Sequence, residues 1–150
     1  MRQCADMVQV GMADEDVLNF KLFFLIQHQT DSSRVNQHGF IITTQSKSFA
    51  YSADTGPTEA FWEAVSDAPN LRGLMVEVSF PNRLQKLAEV TGHLTPDSLK
   101  AELNKARRQL NVPIVAFHVK PEYEKEIRKE LKASKIPGVE VAQTNKIYNF

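Results

Sequence analysis

The stretch Leu74–Val119, LMVEVSFPNRLQKLAEVTGHLTPDSLKAELNKARRQLNVPIVAFHV, decides how this chain folds. Two runs rich in β-branched and aromatic residues, Leu74–Phe80 and Val112–Val119, bracket a segment whose apolar residues recur every three or four positions. The runs predict buried strands and the recurrence predicts helices. Leu84, Leu87 and Ala88 place a short helix over Asn82–Val90. Thr95-Pro96-Asp97 marks a second helix start, because the Thr95 hydroxyl can accept a free first-turn N–H and Pro96 has no N–H to leave unpaired. Leu99, Leu103, Ala106 and Leu110 then share one face. Strand, helix, helix, strand is the pattern of a sheet covered by helices, so the expected fold class is α/β.

Working toward the C-terminus, Pro121-Glu122 opens a further helix through about Lys135, and Val139–Ala142 and Ile147–Phe150 read as short strands. Toward the N-terminus, Phe20–His28, His38–Thr44 and Ser48–Ala53 read as strands. Gln29–Gln37 reads as a polar loop and Gln45–Lys47 as a hairpin connection. Asp54-Thr55-Gly56-Pro57 cannot continue a strand and forces a turn, after which Thr58–Val65 has helical character with Phe61 and Trp62 in the core. Residues 1–19 are weakly patterned, with a helical turn expected around Asp14–Leu18.

Composition narrows the function. The 18 acidic side chains balance 18 basic ones, so no global field draws nucleic acid or an anionic membrane. The basic run Lys105–Arg108 lies beside Glu102 and reads as a solvated helix face. Cys4 is the single cysteine, which excludes an internal disulfide and a cysteine-built zinc site; any metal must use histidine and carboxylate. No apolar run approaches the ~20 residues that span a bilayer, and no basic stretch precedes an apolar core at the start. A cytoplasmic protein is the expectation. The polar opening fits a single, incomplete domain over 1–150.

Reactive side chains in open α/β sheets collect beyond the C-terminal ends of strands. Asp54 follows the third expected strand, Glu77 lies inside the fourth and His118 closes the fifth, while His93 sits in the loop Gly92-His93-Leu94-Thr95. Singly, each has a plain structural explanation; their shared position points to a site.

The strings YSADTGP, VEVSFPN, TGHLTPDSL and FHVKPEY, in that order, resemble the metallo-β-lactamase superfamily. They look closest to class II 3′,5′-cyclic-nucleotide phosphodiesterases, and more distantly to tRNA 3′-processing endonucleases. The resemblance covers about residues 20 to 150. It implies half of an αββα sandwich, a mixed sheet with helices on its outer face. It also implies that Asp54 bridges two divalent metal ions, zinc first, manganese or iron otherwise, and that His118 is the last histidine ligand. His93 would face the phosphate and assist the leaving oxygen, with Glu77 as its acidic partner. Thr55 and Gly56 would shape the turn that aims Asp54.

The superfamily's His-x-His-x-Asp-His motif is absent here. His28 is the candidate for a further histidine near the site, and His38 reads as structural. The metal site is therefore expected to be incomplete and the chain alone inactive. Three readings follow: a piece of a longer hydrolase, a degenerate relative serving as a non-catalytic interaction module, or a site completed by another chain, as in a homodimer. The implied partner is a small phosphodiester such as a cyclic nucleotide, with no membrane and no nucleic acid. Asp-Thr-Gly also marks aspartic proteases, but the helical segments here disagree with an all-β protease.

Overall fold

The computed structural model describes the backbone of residues 9–11, 21–30, 33–44 and 46–150, with side chains for 39–44 and 46–150. Along the chain the strands are β1 (Gln9–Gly11), β2 (Lys21–Thr30), β3 (Ser33–Thr43), β4 (Ser48–Tyr51), β5 (Leu71–Glu77), β6 (Ile114–Phe117), β7 (Val139–Val141) and β8 (Ile147–Asn149). The helices are α1 (Ala60–Asp67), α2 (Gln85–Thr91), α3 (Pro96–Leu103) and α4 (Glu124–Ser134), with single 3-10 turns at Asn82–Leu84 and Pro121–Tyr123.

Six strands form one mixed sheet in the order β2-β3-β4-β5-β6-β7. β2 with β3 and β3 with β4 pair antiparallel, and β4 through β7 are parallel. Parallel neighbours need a crossover, and each crossover here carries helix: α1 after β4, α2 and α3 after β5, α4 after β6. β1 and β8 pair separately, in parallel.

Alternation within the strands splits the core between two faces. Ala50, Leu74, Val76, Ile114 and Ala116 point toward Phe61, Trp62 and Val65 of α1, Leu99 of α3, and Ile127 and Leu131 of α4. Phe49, Met75 and Val115 point the other way, against Tyr148 and Phe150 of the C-terminal segment. The helices thus cover one face, as expected. No helix among the described residues is long and apolar enough to cross a membrane.

Five expectations shift. The strand expected at Leu74–Phe80 runs instead from Leu71 to Glu77, in register with β4 and β6. It stops there because the N–H groups of Ser79 and Phe80 both turn to the carbonyl of Leu94. Glu77 therefore ends the strand rather than lying inside it. Gln29–Gln37, expected as a loop, is mostly ladder, with His28 opposite Gln37 and Thr30 opposite Ser33; paired backbone overrides polar composition. Residues 9–11 form a strand. The helix from Thr95 ends at Leu103, short of Leu110. Lys105–Arg108 is no free face: Arg108 donates to the carbonyls of Val65 and Ala68 at the end of α1, and Arg107 meets Asp67. The side chains of His28 and His38, and all of Asp14–Leu18, lie outside the described residues.

Candidate functional site

β4, β5 and β6 are adjacent and parallel, so their C-terminal ends open on one edge. Asp54 follows β4, Glu77 is the last residue of β5, and His118 immediately follows β6. Ala53 (φ 50) and His118 (φ 61) both adopt the left-handed region. That conformation costs a residue with a Cβ about 1–2 kcal/mol, so packing and hydrogen bonds around the two strand ends must hold it.

Glu77 is the hub. It is fully buried, yet each carboxylate oxygen has a donor: Oε1 takes the Leu94 N–H, and Oε2 takes the Ser79 hydroxyl at 2.6 Å. Its own N–H donates to Ser52 Oγ at 3.0 Å. A buried carboxylate so engaged is fixed in place rather than free to swing onto a ligand. Ser79 Oγ also lies 3.3 Å from His93 Nδ1 and 3.1 Å from His118 Nδ1. Having spent its proton on Glu77, the hydroxyl accepts from both imidazoles. This assigns the Nδ1 proton in each ring and leaves each Nε2 as the nitrogen with a free lone pair when neutral.

His93 reaches this hub through the end of α2. Gly92 adopts φ 71, the His93 N–H bonds the Ala88 carbonyl at 2.8 Å, and the Gly92 N–H bonds that of Glu89. This is a Schellman cap, which a glycine in the left-handed conformation makes without a Cβ clash. A Cβ on Gly56 would come 3.3 Å from the Gly92 backbone. Glycine at both positions lets the Asp54 turn lie directly on the His93 turn. Thr55, buried, donates to the Gly56 carbonyl at 3.0 Å.

Asp54 Oδ1 stands 3.1 Å from His118 Nδ1. Glu77 Oε2 is 3.5 Å from His93 Nδ1 and 3.9 Å from His118 Nδ1. The pKa of His118 is raised above the usual 6.5, first by the Glu77 carboxylate and then by Asp54, against partial burial and the charge of Lys120. At 3.9 Å Glu77 acts through its charge and the bridging Ser79 rather than a direct hydrogen bond. The Tyr51 phenol is also raised, by burial and then by Asp54. Accessibility separates the roles. Side-chain exposure is 61% for Asp54 and 38% for His118, but 17% for His93 and 0% for Glu77. Asp54 and His118 can meet a ligand directly; Glu77 cannot.

Glu77, His93 and His118 each offer one donor atom, and these atoms lie within 4.8 Å of one another. Imidazole nitrogen and carboxylate oxygen suit zinc, manganese or iron, so the donor chemistry fits a divalent metal. With Glu77 committed to hydrogen bonds and His93 largely buried, Asp54 and His118 are the more exposed donors among the described residues, fewer than the three protein ligands usual for catalytic zinc. The expected residues Asp54, Glu77, His93 and His118 thus converge. Ser79 was not among them. Its signal was its place two residues beyond Glu77, on the same side of the extended chain.

No family model matches the sequence, and no curated protein matches it. Solved structures share its fold, two of them as follows. The metallo-beta-lactamase fold protein YhfI from Bacillus subtilis aligns over 74% of this chain at 20% identity with a TM-score of 0.56. A human tRNase Z, short form, aligns over 83% of it at 15% identity with a TM-score of 0.53. This chain has part of a metallo-β-lactamase fold. It spans 43% and 44% of those two proteins, less than half of each.

Proposed function

We propose that this chain carries part of the active site of a metal-dependent hydrolase that cleaves phosphodiesters. The observation that carries the reading is the meeting of Asp54, His93 and His118 at one strand edge, where Asp54 Oδ1 stands 3.1 Å from His118 Nδ1 and the imidazole Nε2 atoms are left for a ligand. Asp54 and His118 would be metal ligands. A pair of divalent ions, when bound, activates water and offsets the charge of the phosphoryl group. His93 would face the phosphate through Nε2 and hold the proton that the leaving oxygen requires. Glu77 and Ser79 orient it. His28 stands as a further near-site candidate.

Within this class the proposed substrate is a small diester, a 3′,5′-cyclic nucleotide, in keeping with a chain of zero net charge. The neighbour named a tRNase Z makes transfer RNA the second candidate. A non-catalytic interaction module is the weaker reading, since it gives no reason for two imidazoles around one buried, fully engaged carboxylate.

The test is zinc or manganese content by equilibrium dialysis, together with hydrolysis of a chromogenic diester and of a cyclic nucleotide. Asp54→Ala should lose metal and turnover together. His93→Ala should keep its metal while turnover falls on the order of 10²-fold. An Asp54→Ala protein that stays active and metal-loaded would refute the assignment.

A further inference from the structure

Lys120 follows the candidate ligand His118 by two residues, at the start of the 3-10 turn Pro121–Tyr123. Its ammonium lies 5.0 Å from the centre of the Phe80 ring. Phe80 is buried and meets the imidazole of His93 edge-on at 5.8 Å, so one ring touches both the ammonium and the site. Its charge is felt at His118, where it opposes protonation.

Arg83 pairs with Glu126, Arg128 with Glu124 and Lys146 with Glu140. Among the described residues no carboxylate lies within ion-pair distance of Lys120. A half-buried ammonium held over a ring has N–H donors to offer a ligand.

We propose that Lys120 is the anion-binding residue of this site, its ammonium on the rim beside His93 and His118 taking a non-bridging oxygen of the substrate's phosphoryl group. This rests on the phosphodiester reading above. The class of ligand follows from charge. Lys120 is followed by Glu122, Glu124 and Glu126 with Lys125 among them, so it is one positive point ahead of a mixed-charge segment rather than part of an unbroken basic stripe. Such a point takes one phosphoryl group; tracking a polyanionic strand needs several cations in a row. The compact ammonium suits this task as a point charge, without the paired geometry of a guanidinium.

The experiment titrates inorganic phosphate into the metal-free full chain at low ionic strength, following the Lys120 and His93 side chains by NMR. Wild type should show saturable shifts at both. Lys120→Gln should weaken binding at least tenfold with an unchanged melting temperature, and Lys120→Arg should stay within a few-fold of wild type. No saturable shift in wild type, or equal affinity in Lys120→Gln, overturns the proposal. A dinucleotide and a longer single-stranded DNA should bind with similar affinity; a steep gain with strand length overturns the single-group assignment. Because the readout needs neither metal nor turnover, Lys120-dependent binding stands even where Asp54→Ala refutes the hydrolase. Equal phosphate affinity in Lys120→Gln with the Asp54→Ala losses intact refutes Lys120 alone.

Discussion

At Nδ1 of His118 a proton stands against the Asp54 carboxylate, 3.1 Å away. Glu77 and Asp54 both favour that proton, and the pKa is raised above 6.5 in consequence. The sign for stability follows by linkage. A group whose folded pKa is raised contributes fully below its unfolded value, about 6.5, and loses that contribution as pH rises through the folded value. Metal binding runs the opposite way, because the charged ring is not a ligand. An NMR titration of the metal-free chain should place the His118 midpoint above 6.5, and Asp54→Asn should lower it. Zinc affinity should climb as pH rises through that midpoint. A wild-type midpoint at or below 6.5 contradicts the arrangement. At this scale the sequence was informative where a polar residue interrupts an apolar run, as at Asp54, Glu77 and His118. It was uninformative at Ser79 and Lys120, ordinary residues whose meaning comes from neighbours 14 and 39 positions away or from the Phe80 ring beneath Lys120.

Among the elements, α3 does more than cover the sheet. Its buried Glu102 reaches across to the Asp54 turn, where Oε2 takes the Thr58 N–H at 2.9 Å and the Trp62 Nε1–H at 2.8 Å. Oε1 meets Lys105 at 2.8 Å. One carboxylate thus ties the segment after Asp54 and the first turn of α1 to the helix after His93. Glu102→Ala would leave two buried donors without an acceptor, and stability should fall by about 3 kcal/mol in urea unfolding with an unchanged slope. A loss under about 1 kcal/mol would mean that water or a rearranged turn supplies the missing acceptor. The elements themselves were largely legible: Thr95 does cap α3, in a reciprocal arrangement with Ser98. Their ends were less so. Strand β5 slid three residues toward the N-terminus because register with β4 and β6, not local propensity, sets where a parallel strand begins.

For the molecule as a whole, if Asp54 and His118 are the metal ligands as proposed, two exposed donors among the described residues would hold zinc more weakly than a closed site does. Bound zinc stabilises the folded chain by about 1.4 kcal/mol at tenfold above its dissociation constant. Thermal unfolding should therefore shift up with zinc only at concentrations well above those of a closed four-ligand site, and Asp54→Asn should remove the shift. Nanomolar affinity with Asp54→Asn unaffected would place the metal elsewhere.

By itself the sequence determined the α/β class, the helix start at Thr95, the lack of a second cysteine for an internal disulfide within these 150 residues, and the four residues Asp54, Glu77, His93 and His118 that the structure brings together, because these depend on spacing and side-chain type within short windows. The mixed strand order, the end of β5 at Glu77, the Gly56–Gly92 contact, and the meeting of Ser79 with two imidazoles were decided only by the tertiary structure. Those depend on which distant strands pair and in what register, and a single chain of letters fixes that only through the packing of all of them together.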